Sequence, residues 1–131
     1  MWRYIPFHKQ VGIINMAIDE HLLNKVIQGK SPNTLRFYQW KRTTASIGSH
    51  QSLSAEIDVK FAKNNDVDIV RRISGGGAVL HDAHKEITYA IICKISDLPE
   101  LGKFKRNYNK KIPKIYIPIL ESLANGLETI G

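Results

Sequence analysis

Apolar and polar positions change period several times along the chain, and each change marks an element. Trp2 to Pro6 alternate as a short strand, with Trp2, Tyr4 and Pro6 on one side. From Asn15 to Ile27 the period lengthens. Ile18, Leu22 and Val26 recur every fourth residue, Leu23 and Ile27 widen the stripe, and an amphipathic helix is predicted. Asn15 suits its N-cap, and Asp19 and Glu20 lie in the early turns, where the helix dipole favours acids. After a polar break, Thr34–Trp40 returns to period two, placing Leu35, Phe37 and Gln39 opposite Arg36, Tyr38 and Trp40. Ala45–Gln51 reads as a short strand entering a turn, Ser54–Asn64 as a second helix, and Val67–Ile73 as a strand rich in branched residues. Glu86–Ile95 predicts a long, largely buried strand. A last helix has Pro118 in its first turn and Ile119, Leu123, Leu127 and Ile130 on its apolar face.

This order predicts an α+β fold: a mixed, mostly antiparallel sheet flanked by helices. The final apolar face reaches Gly131 and needs a cover, which fits either an incomplete domain or a terminal docking helix.

Composition narrows the class. A chain of 131 residues is one domain or a large part of one, and 43% hydrophobic with 24% charged residues excludes disordered and fibrous classes. No apolar run approaches the roughly 18–20 residues of a membrane span, and MWRYIPFHKQ has no signal core. The single cysteine, Cys93, forms no internal disulfide and fits a reducing compartment, so a cytoplasmic location is expected. Its setting, YAIICKI, predicts a buried, inert thiol rather than a nucleophile. The formal charge of +7 favours anionic partners. Lys103–Lys114 holds six basic residues and no acidic one, with Phe104 and Tyr108 interleaved: a solvated basic loop or a nucleic-acid strip.

The candidate chemistry lies in RRISGGGAVLHD, Arg71–Asp82, which holds three of the nine glycines. Gly75, Gly76 and Gly77 can take positive φ and bring backbone N–H groups close to a ligand. Successive N–H groups form an anion-binding concavity, and an arginine fork suits a phosphate beside it. A glycine-rich hairpin or bulge is the plainer reading. The loop is neither a GxxxxGK[ST] nor a GxGxxG motif, and a strand follows it. Strand alternation sends Arg71 and Arg72 to opposite faces, so one of them serves the loop. His81, Asp82, His84 and Glu86 match no zinc spacing, so no metal is expected.

The same twelve residues are similar to the RRxSGGGAVxHD signature of the lipoate–protein ligases, whose superfamily includes octanoyltransferases and biotin ligases. NMAIDE, RFYQW, SIGSHQ and VDIVRR resemble the family's other elements in the expected order. The resemblance implies a biotin/lipoate-ligase-like fold and a two-step reaction. ATP, as its Mg2+ complex, activates lipoic acid to lipoyl-AMP, and the lipoyl group passes to a lysine of an acceptor. That acceptor would be an apo lipoyl domain or a glycine-cleavage H-like protein, with neither nucleic acid nor membrane as partner. By the same resemblance Arg72, Gly77, Ala78, Val79 and Leu80 lie along the adenylate, and Gly75, Gly76 and His81 along the lipoyl group. The family's catalytic lysine lies downstream of Gly131, so residues 1–131 are expected to form an N-terminal portion of the catalytic domain. A separate or missing C-terminal chain would complete the site. KEITYA after the signature is closer to the octanoyltransferases, which use an acyl-carrier donor without ATP. Their loop usually carries arginine in place of the third glycine, and their nucleophile is a downstream cysteine whose position Cys93 does not match.

Overall fold

The computed structural model describes residues 1–98 and 112–129 and divides into two units, Met1–Cys93 and Lys94–Gly131. The first unit contains two mixed three-stranded sheets. In one, the central β2 (Asn33–Trp40) lies between β1 (Trp2–Gln10), parallel to it, and β6 (Thr88–Ile92), antiparallel. A parallel neighbour needs a crossover, and α1 (Gly12–Ile27) supplies it. Leu22 and Val26 of α1 bury against Ile92, with Ile5 and Ile18 packed around them. The β1–β2 register slips between Ile5 and His8, at Pro6, which has no N–H to give to the ladder.

Helix α1 begins three residues before the expected start. Val11 occupies the N-cap position, and its carbonyl accepts from the N–H groups of Ile14 and Asn15. Asn15 is taken from the cap by a stronger demand. It is fully buried, its Nδ2 donates to the carbonyls of Gln10 and Gln39, and its Oδ1 accepts from Arg36.

The face of β2 carrying Thr34, Arg36, Tyr38 and Trp40 is the buried one. An arginine can sit there because both of its terminal nitrogens are engaged, though its buried Nε has no partner among the described residues: Arg36 donates to Asp19 and Asn15, contacts His8 Nε2 at 2.8 Å, and lies 4.0 Å over the Tyr38 ring. Burial holds the Asp19 carboxyl above the usual range, against the pull of Arg36, and pushes the Tyr38 hydroxyl up as well. On the opposite face Tyr4, Phe37 and Tyr89 form a ladder of tilted rings.

The second sheet has β3 (Thr44–Ile47) between β4 (Asp68–Arg71), parallel, and β5 (Val79–His81), antiparallel. The expected single helix before β4 is two: α2 (Leu53–Glu56) and α3 (Val59–Asn64). Asp58 causes the break, since its carboxylate accepts the Phe61 N–H at 2.9 Å and caps α3. Strand β6 is shorter than predicted and mostly half-buried, and Cys93 beyond it is half-buried rather than buried.

The second unit shows a 3-10 turn at Ile95–Asp97 and α4 (Ile112–Glu128), with Pro113 rather than Pro118 in its first turn. The basic strip Lys103–Lys114 lies outside the residues whose side chains are described. Among the described residues no helix is long and apolar enough to cross a membrane.

Candidate functional site

The two arginines leave the end of β4 on opposite sides, as strand alternation requires. Arg71 Nη1 donates to the carbonyls of Gly48 and Gln51, each at 2.8 Å, and of Ser49 at 3.3 Å. It therefore ties down the turn after β3. Arg72 faces the glycine loop. Its Nη1 donates to the carbonyl and the hydroxyl of Ser46, both at 3.1 Å. Its Nη2 donates to the carbonyls of Gly75 at 3.1 Å and Gly77 at 2.6 Å. Four acceptors thus take the four terminal N–H bonds of one planar fork.

Residues 73–80 are exposed. Of the three loop glycines only Gly76 has positive φ, at +99°, which a side chain would strain. The loop leans on the turn after β3. Ser49 N–H donates to the Ser74 carbonyl at 3.0 Å, and a Cβ on Gly48 would run into the Gly76 carbonyl oxygen. Among the described residues none of the N–H groups of Gly75, Gly76 or Gly77 has an acceptor. Exposed backbone N–H groups of this kind can take an anion or a carbonyl oxygen.

Below the loop, β5 carries Val79 and Leu80 paired with Ser46 and Ala45, both side chains open to solvent, and then His81, opposite Thr44. His81 is 9% exposed and stacks on Trp40, centroids 4.1 Å apart at 17°. Its Nε2 lies 2.8 Å from Ser46 Oγ and its Nδ1 2.6 Å from Glu86 Oε1. Thr88 Oγ1 donates to the same carboxylate oxygen at 2.7 Å, and Trp40 Nε1 donates to Thr88 at 2.8 Å. Ala78 joins loop to strand at the exposed rim.

Asp82 has a local task. It accepts the N–H groups of His84, at 2.7 Å, and Lys85, and the His84 bond chiefly holds its carboxyl below the usual range. Lys9 of β1 donates to the neighbouring Ala83 carbonyl at 3.0 Å, which secures this turn to the first sheet. Of the five polar residues in HDAHKE, only His81 and Glu86 pair side chain to side chain. Among the described residues no three acid, histidine or cysteine side chains are placed to hold a metal ion.

The sequence reading gathered Arg72, the glycines and His81 but missed Ser46, Trp40 and Thr88. Ser46 could have been found, because strand alternation places it one pair from Gly48 on a face shared with the loop.

Comparison with known proteins gives these features a context. Residues 12–129 match the family model described as the lipoyl protein ligase A/B catalytic domain. The chain is 47% identical over 132 residues to octanoyltransferase LipM of Macrococcus caseolyticus, covering 99% of this chain and 44% of that protein. It is 45% identical over 131 residues to LipM of Geobacillus kaustophilus, covering 100% and 44%. The chain thus spans less than half the length of these relatives. Among solved structures it superposes on Ta0514 of T. acidophilum, assigned as a lipoate protein ligase, with TM-score 0.58, 28% identity, and coverage of 68% of this chain and 36% of the other. LipL1 of P. falciparum, solved with lipoate, shares the fold at TM-score 0.54 and 22% identity, over 66% of this chain and 29% of the other. From the family model's match over 12–129, and from the relatives that follow this chain along its whole length, the chain belongs to the lipoyl protein ligase A/B catalytic domain family.

Proposed function

We infer that this chain carries the acyl-binding part of an octanoyltransferase, which moves a medium-chain acyl group from a carrier to a lysine of an acceptor protein. The observation that carries this reading is the engagement of Arg72. Its terminal donors hold the carbonyls of Gly75, Gly77 and Ser46, so the arginine shapes a cradle rather than offering its fork to a phosphate. KEITYA after the signature and the relatives named octanoyltransferase support it.

In this reading the N–H groups of Gly75–Gly77 receive the acyl carbonyl oxygen, where negative charge develops as the acyl bond is attacked. Val79, on the face of β5 that also carries His81, gives the acyl chain an apolar wall, and His81 lines the site beneath it. An apo lipoyl domain or a glycine-cleavage H-like protein supplies the lysine. We assign no nucleophile within these residues.

The second reading is the ATP-dependent lipoate ligase, favoured by Gly77. A Cβ there would meet nothing within 4 Å, which leaves room for a nucleotide along Arg72, Gly77, Ala78, Val79 and Leu80. ATP would arrive as its Mg2+ complex, with lipoic acid lying toward Gly75, Gly76 and His81.

Calorimetric titration of the chain separates the two. Octanoyl-acyl carrier protein should give saturable binding, and a non-hydrolysable lipoyl-adenylate analogue should give none. The reverse pattern would install the ligase reading. Failure of a demonstrably folded chain to bind either would remove the acyl site from the glycine loop.

A further inference from the structure

With His81 neutral, the hydrogen bonds under the glycine loop have only one consistent direction. A carboxylate accepts and cannot donate, so Glu86 Oε1 receives both the Thr88 hydroxyl proton and the proton on His81 Nδ1. A neutral imidazole protonated at Nδ1 presents Nε2 as an acceptor. The donor facing it, 2.8 Å away, is the hydroxyl of Ser46. Arg72 can only donate, so Ser46 Oγ accepts from it while giving its single proton to His81. Ser46 is 1% exposed, so solvent does not substitute for either partner. The chain therefore runs without interruption from Glu86 through His81 and Ser46 to Arg72, and from Arg72 Nη2 to the carbonyls of Gly75 and Gly77.

We propose that Ser46 is a positioning residue that joins His81 to Arg72, so that the proton state of the histidine and the shape of the glycine loop change together. A proton arriving at Nε2 turns that nitrogen into a donor. Ser46 Oγ then faces two donors, its own proton loses its acceptor, and imidazolium and guanidinium converge on one oxygen. Arg72 relieves this by shifting, and the carbonyls it holds shift with it. The charged groups facing His81 are Glu86, from the β5–β6 turn, and Arg72, across Ser46 of β3. From β2 and β6 come Trp40 and Thr88, which carry no charge. The functional consequence rests on the reading of the loop as the acyl cradle: a proton passing through His81 during transfer would loosen the loop that holds the acyl carbonyl. Ser46 touches no reacting atom in this scheme.

The test is an NMR titration of the ligand-free chain, following the imidazole nitrogens of His81 and the backbone amides of Gly75–Gly77. In the wild type the unprotonated ring should carry its hydrogen on Nδ1, and the glycine amides should move with the same midpoint as the imidazole. In Ser46→Ala the imidazole should titrate while the glycine amides no longer follow. Ser46→Thr, which keeps the hydroxyl, should restore the coupling. Glycine amides that stay flat through the wild-type titration, a neutral ring protonated at Nε2, or coupling that survives Ser46→Ala would each overturn the proposal. Octanoyl-acyl carrier protein binding should weaken about tenfold in Ser46→Ala and recover in Ser46→Thr, the scale of one lost hydrogen bond. If the wild type binds no acyl donor, the functional reading fails, while the NMR coupling still decides the role of Ser46.

Discussion

Gly48→Ala places one methyl group where the glycine loop already is. The new Cβ would overlap the Gly76 carbonyl oxygen and lie 3.2 Å from the carbonyl carbons of Gly75 and Gly76, all backbone atoms that cannot rotate away. The loop would have to withdraw by on the order of 1 Å, the scale of misplacement that lowers a site's effectiveness by about 100-fold. Withdrawal stretches the Ser49 N–H to Ser74 carbonyl bond at 3.0 Å and the Arg72 bonds to Gly75 and Gly77. Overpacking in a core typically costs about 1–3 kcal/mol. Residues 73–80 are exposed and can yield, so the stability loss should sit near the low end, about 1 kcal/mol, or a Tm lower by roughly 3–6 °C. Acyl-donor binding should fall far more, by about two orders of magnitude. Gly77→Ala is the control, since its Cβ meets nothing and its φ is not left-handed, and its stability should stay within about 0.5 kcal/mol of wild type. Urea denaturation and calorimetry on the two variants check both numbers. A Gly48→Ala chain that binds like wild type, with its loop amides unmoved, would refute the claim that the two turns must touch for the cradle to form.

Three other outcomes follow from the same contacts. Asp19→Ala leaves the fully buried Arg36 without its carboxylate and should destabilise the chain by about 3–5 kcal/mol in urea, with a folded Asp19→Ala/Arg36→Met double variant recovering much of that loss. Asp82→Ala removes a carboxylate whose folded value is lowered, so its stabilisation is present above the ordinary value of 3.8 and disappears as pH falls through the folded value. The Tm gap to wild type should be open at pH 7 and close in acid, and a gap independent of pH would exclude the charged turn as its cause. Arg72→Lys keeps the charge but replaces a four-bond fork by a point donor. It should disorder the Gly75–Gly77 amides in NMR with little change in α1, whereas Arg71→Lys should disturb the Gly48–Gln51 turn instead.

Periodicity revealed those elements whose side chains alternate or recur without competition. The β2 alternation survives intact, and the stripe of Leu22 and Val26 is the face that α1 buries. Element ends were hidden where a polar residue had a distant partner. Asn15 looks like a cap in sequence and is a core hydrogen-bonding residue because Arg36, twenty-one positions away, needs it. Asp58 looks like helix interior and is a cap, which divides one expected helix into two. Strand β5 is only Val79–His81, too short to show a period, yet it delivers His81 to the site. The loop itself was legible because glycine and charge are chemically conspicuous. Its support was not, because Ser46 and Thr88 are ordinary strand residues until tertiary pairing brings them to His81 and Glu86.

The bond from Trp40 Nε1 to Thr88 Oγ1 has a kinetic consequence. Strands β1 and β2 with α1 between them form a local unit, whereas β6 reaches β2 only after the whole of 41–87 has been looped out. Closing a loop of about fifty residues costs roughly 3.5 kcal/mol of chain entropy before any contact offsets it. The second sheet, the glycine loop and His81 all lie inside that excursion, pinned at its base by a tryptophan and a threonine. Folding should therefore begin at the N-terminal half and reach the cradle late, and hydrogen exchange in β3–β5 should report an opening that leaves β1, α1 and β2 closed.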